Sequence, residues 1–261
     1  MHADLDSSEE SSMPIPYDSL SDDFSVYMYV NSQSTLPNQR ETVLHFFESI
    51  QKSFPGMCHF QARDQTDFIL EEDRDQGPYR WVGLEAKRLG AGFINPPSLE
   101  SADQLHERIL DLAPAHLNLI GLDCEALDVV FVFDFVYRGN HDEVVAEALG
   151  FYTVFESFLT QPKARIIGCE PVLMLALEDD LRLQCRLSVE TRTTAYQVRT
   201  GQYGEDPISV YLTVRQYWNG RNRLSFVESY RRQRTICQEL VDNYIIPSVI
   251  TPLARVIEAK Q

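Results

Sequence analysis

The segment FSVYMYV, opening at Phe24, is rich in aromatic and β-branched residues and predicts a strand. PNQRETVLHFFESIQKSF then changes to helical spacing, with Val43, Leu44, Phe47, Ile50 and Phe54 on one face, and Pro55-Gly56 ends it. CHFQARD and DFILEED alternate like the arms of a hairpin. YRWVGLEAKRLGAGFIN reads as one long strand, bent or bulged at Gly83, Gly90 and Gly92 and closed by Pro96-Pro97. Ser98 or Ser101 is placed to cap a helix through ADQLHERILDLA, which Pro114 stops or kinks. LDVVFVFDFVYRG is the strongest strand pattern of the chain, and Asn140 then reads as the cap of a helix from His141 to about Leu159.

The pattern changes after residue 160. Residues 165–178, 180–199 and 207–218 read as long alternating strands joined by acidic or Gly-containing turns. A helix from about Leu224 to Ile246 follows, with Phe226, Val227, Tyr230, Cys237, Leu240, Val241 and Tyr244 roughly on one stripe. Pro247 breaks it, and Thr251-Pro252 opens a last short helix. The fold class expected is α+β, with antiparallel or mixed sheets and helices packed on one side. Residues 24–160 carry ferredoxin-like elements, and residues 161–261 form a strand-rich part closed by C-terminal helices. No sequence repeat is evident.

Composition adds an acidic tail to this picture. Residues 1–23 hold seven acids and no Lys or Arg, with five serines in 7–19, so they bury too little to offset their ordering entropy and are expected to be disordered. The whole chain of 261 residues carries a formal charge of −16, which argues against coating duplex DNA or an anionic membrane. The first residues have neither a basic nor an apolar leader region, and the strongest strand holds only a five-residue apolar run, Val129 to Phe133, so no membrane span is expected. Five cysteines without a CxxC spacing favour reduced thiols and a cytoplasmic location.

Motifs with a fixed chemistry are missing. There is no GxxxxGK[ST], GxSxG or HExxH, since Leu110 stands where His106-Glu107 would need a second His. Gly90 and Gly92 begin a GxGxxG that Asn95 leaves incomplete. Cys58-His59 has no further ligand at zinc spacing, and Asp123-Cys124-Glu125 reads as loop polarity, so neither a metal nor a cofactor is expected. Cys169 and Cys185 sit in apolar strand patterns and read as core residues. Asp134 stands among valines in the strongest strand with His141 just beyond it, so the pair are the candidate acid and base of a small hydrolase or transferase. A carboxylate satisfied within the sheet, and acids complementing a helix dipole at His141-Asp142-Glu143, explain the same residues more plainly.

Charge asymmetry is the stronger signal. Residues 1–162 hold 9 basic and 28 acidic residues, a balance of −19, whereas residues 163–234 hold 12 and 8, a balance of +4. Strand parity directs Arg182, Arg186, Arg192, Arg199, Tyr211, Arg215 and Tyr217 outward together. Interleaved Arg and Tyr suit an acidic protein segment or another anionic ligand, including the chain's own tail, SSEESS through SDD. Cross-strand charge pairing on a solvated face is the plain alternative. The leading reading is a non-catalytic binding or protein–protein interaction module, with single-stranded RNA as a third candidate ligand. Long strands leave edges to cover, so a homodimer is expected.

Overall fold

Val26, Met28 and Val30 alternate with Tyr27, Tyr29 and Asn31, so strand β1 (Asp23–Ser32) buries the first set in the core and turns the second to the opposite face. The computed structural model describes residues 17, 19–64, 66–218 and 224–261. In chain order β1 is followed by α1 (Arg40–Gln51), β2 (His59–Ala62), β3 (Phe68–Glu71), β4 (Tyr79–Leu84), β5 (Arg88–Ile94) and α2 (Leu99–Leu117). Then come β6 (Cys124–Val136), α3 (His141–Ala148), α4 (Phe151–Leu159), β7 (Val172–Ala176), β8 (Leu183–Glu190), α5 (Ala195–Thr200) and β9 (Pro207–Tyr217). The chain closes with α6 (Phe226–Leu240), π-helical turns over Val241–Ile250, and α7 (Thr251–Lys260).

The protein is α+β, and the nine strands of the described residues form one antiparallel sheet in the order β2-β3-β4-β5-β1-β6-β9-β8-β7. The central pair joins the two parts of the chain: Val26 faces Phe131, Met28 faces Val129, and Ala126–Val136 of β6 runs along β9. Outward from β1 and β6 both halves repeat one topology. Each opens with a strand followed by a helix, returns its last strand (β5 or β9) beside the first, and adds the preceding strands outward to β3 or β7. Only the first half continues, to β2. The sequence shows no trace of this repeat because a shared topology fixes only periodicity and turn positions, which many side chains satisfy.

The core lies between one sheet face and the helices. Phe131 and Phe133 of β6, Val210 and Leu212 of β9, Phe46 and Ile50 of α1, Leu105 and Ile109 of α2, and Tyr230 and Cys237 of α6 all belong to it. Gln233 of α6 is fully buried and donates to the carbonyls of Leu127 and Val214, at 2.7 and 2.8 Å, so the helix is bonded to the sheet as well as packed on it. Phe226–Lys260, 35 residues, is long and apolar enough to cross a membrane by length and composition, and its Tyr230, Cys237, Val241 and Leu253 face is buried in this core.

Several expectations are corrected. Residues 79–94 are a hairpin, not one strand, and the register of β5 against β1 and β4 is unbroken at Gly90 and Gly92, so no bulge lies there. Gly150, at φ 77°, divides the helix expected over 141–159. Residues 195–200 are helical, capped by Thr194 with Gln197 in a reciprocal pair, instead of continuing a strand. Asn140 makes no capping bond, and its amide donates to the Ile166 carbonyl. Pro114 lies inside α2, and Pro247 is absorbed by the wider π-helical turns, so neither ends its helix and Thr251 caps nothing. Every registered strand pair is antiparallel, so the parallel pairing of a ferredoxin-like split βαβ unit is not among them. Residues 1–16 and 18 of the expected tail lie outside the described residues, but Tyr17 is not tail. It is fully buried, against Phe24, Phe131 and Phe133, and its hydroxyl donates to Asp242 at 2.7 Å. One aromatic side chain offsets the ordering of Ser19 and Ser21–Asp23.

Candidate functional site

On the sheet face turned away from the core, side chains of β1, β5, β6, β9, β8 and β7 line a cleft of about 410 Å³. Tyr27 and Tyr29 rise from β1, Asp128 and Val130 from β6, Tyr211, Thr213, Arg215 and Tyr217 from β9, and Gln184, Arg186 and Glu190 from β8. Arg88 and Met174 stand at the two sides. Cleft volume of this order suits a side-chain-sized group or part of a peptide.

The floor on the β1 side is aromatic. Tyr27 and Tyr29 lie 6.3 Å apart, and Trp81 of β4 lies 5.7 Å from Tyr27 and 6.2 Å from Tyr29. Gly90 and Gly92 make this packing possible, because a side chain at either would meet Tyr29 or Tyr27 and Trp81 at well under contact distance. The two glycines that imitate a nucleotide motif are therefore seats for aromatic rings. Burial raises the tyrosine hydroxyl pKa at both Tyr27 and Tyr29, so neither is a phenolate near neutrality.

The cations of the cleft are unequally committed. Asp128 and Arg215 face each other in register across β6 and β9, and the guanidinium donates twice to the carboxylate at 2.6 Å. Asn31 adds a third bond to Asp128 at 3.1 Å. That carboxylate holds the Arg215 pKa well above its ordinary range, and Arg215 also stacks on Tyr217, 5.6 Å from its centroid. This is the cross-strand pairing that a solvated face provides. Arg88 packs 4.5 Å over Tyr29 and pairs with Glu85 at 3.2 Å. Arg186 is exposed and, among the described residues, has no ion pair.

Of the seven outward residues expected to act together, the structure brings four to the cleft: Arg186, Tyr211, Arg215 and Tyr217. Arg182 pairs with Asp180 in the turn before β8 at 3.6 Å, and Arg192 pairs with Glu190 at 3.3 Å in the loop after it. Arg199 lies on α5 and packs on Tyr196, because strand parity does not carry through a helix. The SDD end of the acidic segment does not reach the arginines. Asp22 accepts from the Val136 amide and Asp23 from Asn95, which fixes the start of β1. Tyr27, Tyr29, Arg88 and Asp128 were missed by a reading confined to the second half, although the alternation of β1 with Val26, Met28 and Val30 carries the same signal.

Asp134 and His141 are not brought together as acid and base. Asp134 accepts from Ser209 at 2.5 Å, and burial raises its pKa. His141 is buried, with Nε2 2.9 Å from the Tyr137 carbonyl and Nδ1 accepting from the Arg192 amide at 3.2 Å. Those two bonds describe a neutral ring protonated at Nε2, and burial accordingly lowers its pKa. Beside it Asp142 accepts from the Cys169 amide and the Thr191 hydroxyl, at 2.7 and 2.8 Å. His141 and Asp142 thus hold two loops against the start of α3. Among the described residues no group of three or more His, Cys, Asp or Glu is placed to hold a metal ion.

No protein-family model matches the chain, and no curated protein shows significant sequence similarity to it.

Proposed function

We propose that this chain is a non-catalytic protein-binding module that takes an acidic, extended protein segment on the open face of its sheet. One observation carries the reading: a cleft lined by Tyr27, Tyr29, Tyr211 and Tyr217 holds an exposed cation, Arg186, that has no ion pair among the described residues. Tyrosine and arginine together supply large, stiff contact area with a polar tip, which is the composition enriched at interface hot spots. The unpaired guanidinium selects for a carboxylate, while Asp128 and Glu190 keep the cleft from being a general anion trap. Five free cysteines, three of them buried, fit a reducing cytoplasm.

Fluorescence anisotropy with a labelled Glu/Tyr copolymer peptide tests the reading. Binding is expected at about 50 mM salt and weakens as screening shortens the reach of the charges. Arg186→Glu should weaken it roughly tenfold or more, equivalent to about 1.4 kcal/mol. Equal affinity for Arg186→Glu and the unaltered protein, or preference for oligouridylate over the peptide, refutes it.

A further inference from the structure

The two edges of the sheet differ in kind. At one, β2 is short, exposed and followed by Arg63-Asp64, and its one large apolar residue, Phe60, packs against Phe47 and Phe68. At the other, β7 reads VLMLA, and all five residues are exposed. Its topological counterpart β3 is buried throughout, because β2 covers it; among the described residues the second half has no strand in that place. The Leu177 amide donates to Leu183 and the Val189 amide to Pro171, so the odd-numbered residues bond β8. The backbone groups of Val172, Met174 and Ala176 consequently point away from the sheet, a row of donors and acceptors with no strand beside it among the described residues.

Apolar side chains continue this edge. Phe155 and Phe158 of α4 and Ile167 are half or more exposed, Phe158 by 78%, and a cavity of about 390 Å³ joins α4 to the approach of β7. With the strand they expose on the order of 700 Å², more than an ordinary surface patch and close to the ~800 Å² that each partner gives to a stable interface.

We propose that a second copy of this chain covers β7 with its own β7, paired antiparallel about a two-fold axis at Met174. The strand is self-complementary: it carries no charge, and register about Met174 sets Val172 opposite the partner's Ala176 with every outward amide and carbonyl bonded. The acids that flank it already have partners in their own chain, Glu170 with the Thr191 amide and Glu178 with Arg232. β2 is only four residues long, HFQA, and its one large apolar side chain packs on Phe47 and Phe68, which disfavours the head-to-tail pairing of β2 with β7 that would grow fibres. The axis stands perpendicular to the sheet, so both open faces lie on one side, and Met174, which lines the cleft, becomes a wall shared by two clefts.

Light scattering on the full chain at tens of micromolar tests the proposal, with Met174→Pro and Met174→Lys as variants. Proline removes the outward N–H without breaking a bond to β8, and lysine places a charge at the centre of the pairing. The unaltered protein should weigh about 60 kDa, twice the 30.0 kDa chain, and both variants should weigh half that with unchanged circular dichroism. If Met174→Pro fails to fold, Met174→Lys decides alone. A mass of 30.0 kDa for the unaltered protein, or a dimer that survives in the folded variants, overturns it.

Discussion

Replacing Gly92 by alanine would strike the aromatic floor of the cleft with a single methyl group. A Cβ there would stand 2.5 Å from Tyr27 Cδ1 and 2.6 Å from Trp81 Cε2. Carbon atoms rest at about 3.5–4.0 Å, so two rings must each retreat by about 1 Å. Overpacking of this kind costs roughly 1–3 kcal/mol, and displacement of both rings together belongs at the upper end. Restricting the unfolded backbone returns about 0.5–1 kcal/mol, which leaves a net loss of about 2 kcal/mol. Urea unfolding, followed by circular dichroism, measures it. Gly168 is the control, since a Cβ there would meet nothing within 4 Å, and Gly168→Ala should keep the backbone gain and stabilise by about 0.5–1 kcal/mol. Removing the obstructing ring should relieve the clash, so Gly92→Ala should cost less in a Trp81→Ala background than alone. Equal midpoints for Gly92→Ala and Gly168→Ala would show that the rings do not pack on these glycines, and the account of the floor would fail.

Tyr17→Ala removes a buried ring and its bond to Asp242, and should cost about 3–5 kcal/mol by denaturant titration; a loss under about 1 kcal/mol would return Tyr17 to the tail. Burial pushes His106 down to about 3, against 6.5 unfolded, so the unfolded chain binds the extra proton between those values and stability falls as pH drops through that window. The contribution is about 1.4 kcal/mol per pH unit, and urea midpoints between about pH 7 and 5 should fall less steeply in His106→Leu than in the unaltered protein; equal slopes contradict it. A double-mutant cycle of Asp128→Ala and Arg215→Ala should give a coupling of about 1–3 kcal/mol for the bidentate pair, whereas additivity would show that water already separates it.

Periodicity carried most of the strands. In β6 and β9 the alternation of Phe131, Phe133 with Val130, Val132, and of Val210, Leu212 with Tyr211, Thr213, assigned each side chain its face without knowledge of a neighbour. Pairing lay beyond that reading. Nothing local says that Asp128 meets Arg215 or that Tyr27 and Trp81 cover Gly92, because cross-strand contacts join residues up to eighty or more positions apart. Arg199 was misplaced for a related reason: TTAYQVRT alternates tolerably as a strand, and the Thr194–Gln197 capping pair that makes it a helix is a two-residue signal inside that pattern. Gly83, Gly90 and Gly92 looked like punctuation, yet only the turn at residues 85–87 divides the segment. Tyr17 shows the limit of composition, since one anchoring ring among acids and serines outweighs the average around it.

Chemical-shift mapping places the binding surface most directly. Titrating the isotope-labelled protein with the Glu/Tyr copolymer peptide should move the amide and side-chain signals of Arg186, Tyr211, Thr213, Tyr27 and Tyr29 together, with a single salt-sensitive affinity. Signals that move only at Arg231, Arg232 and Arg255 on the C-terminal helices, or that do not move at all, would contradict a binding function for the open sheet face.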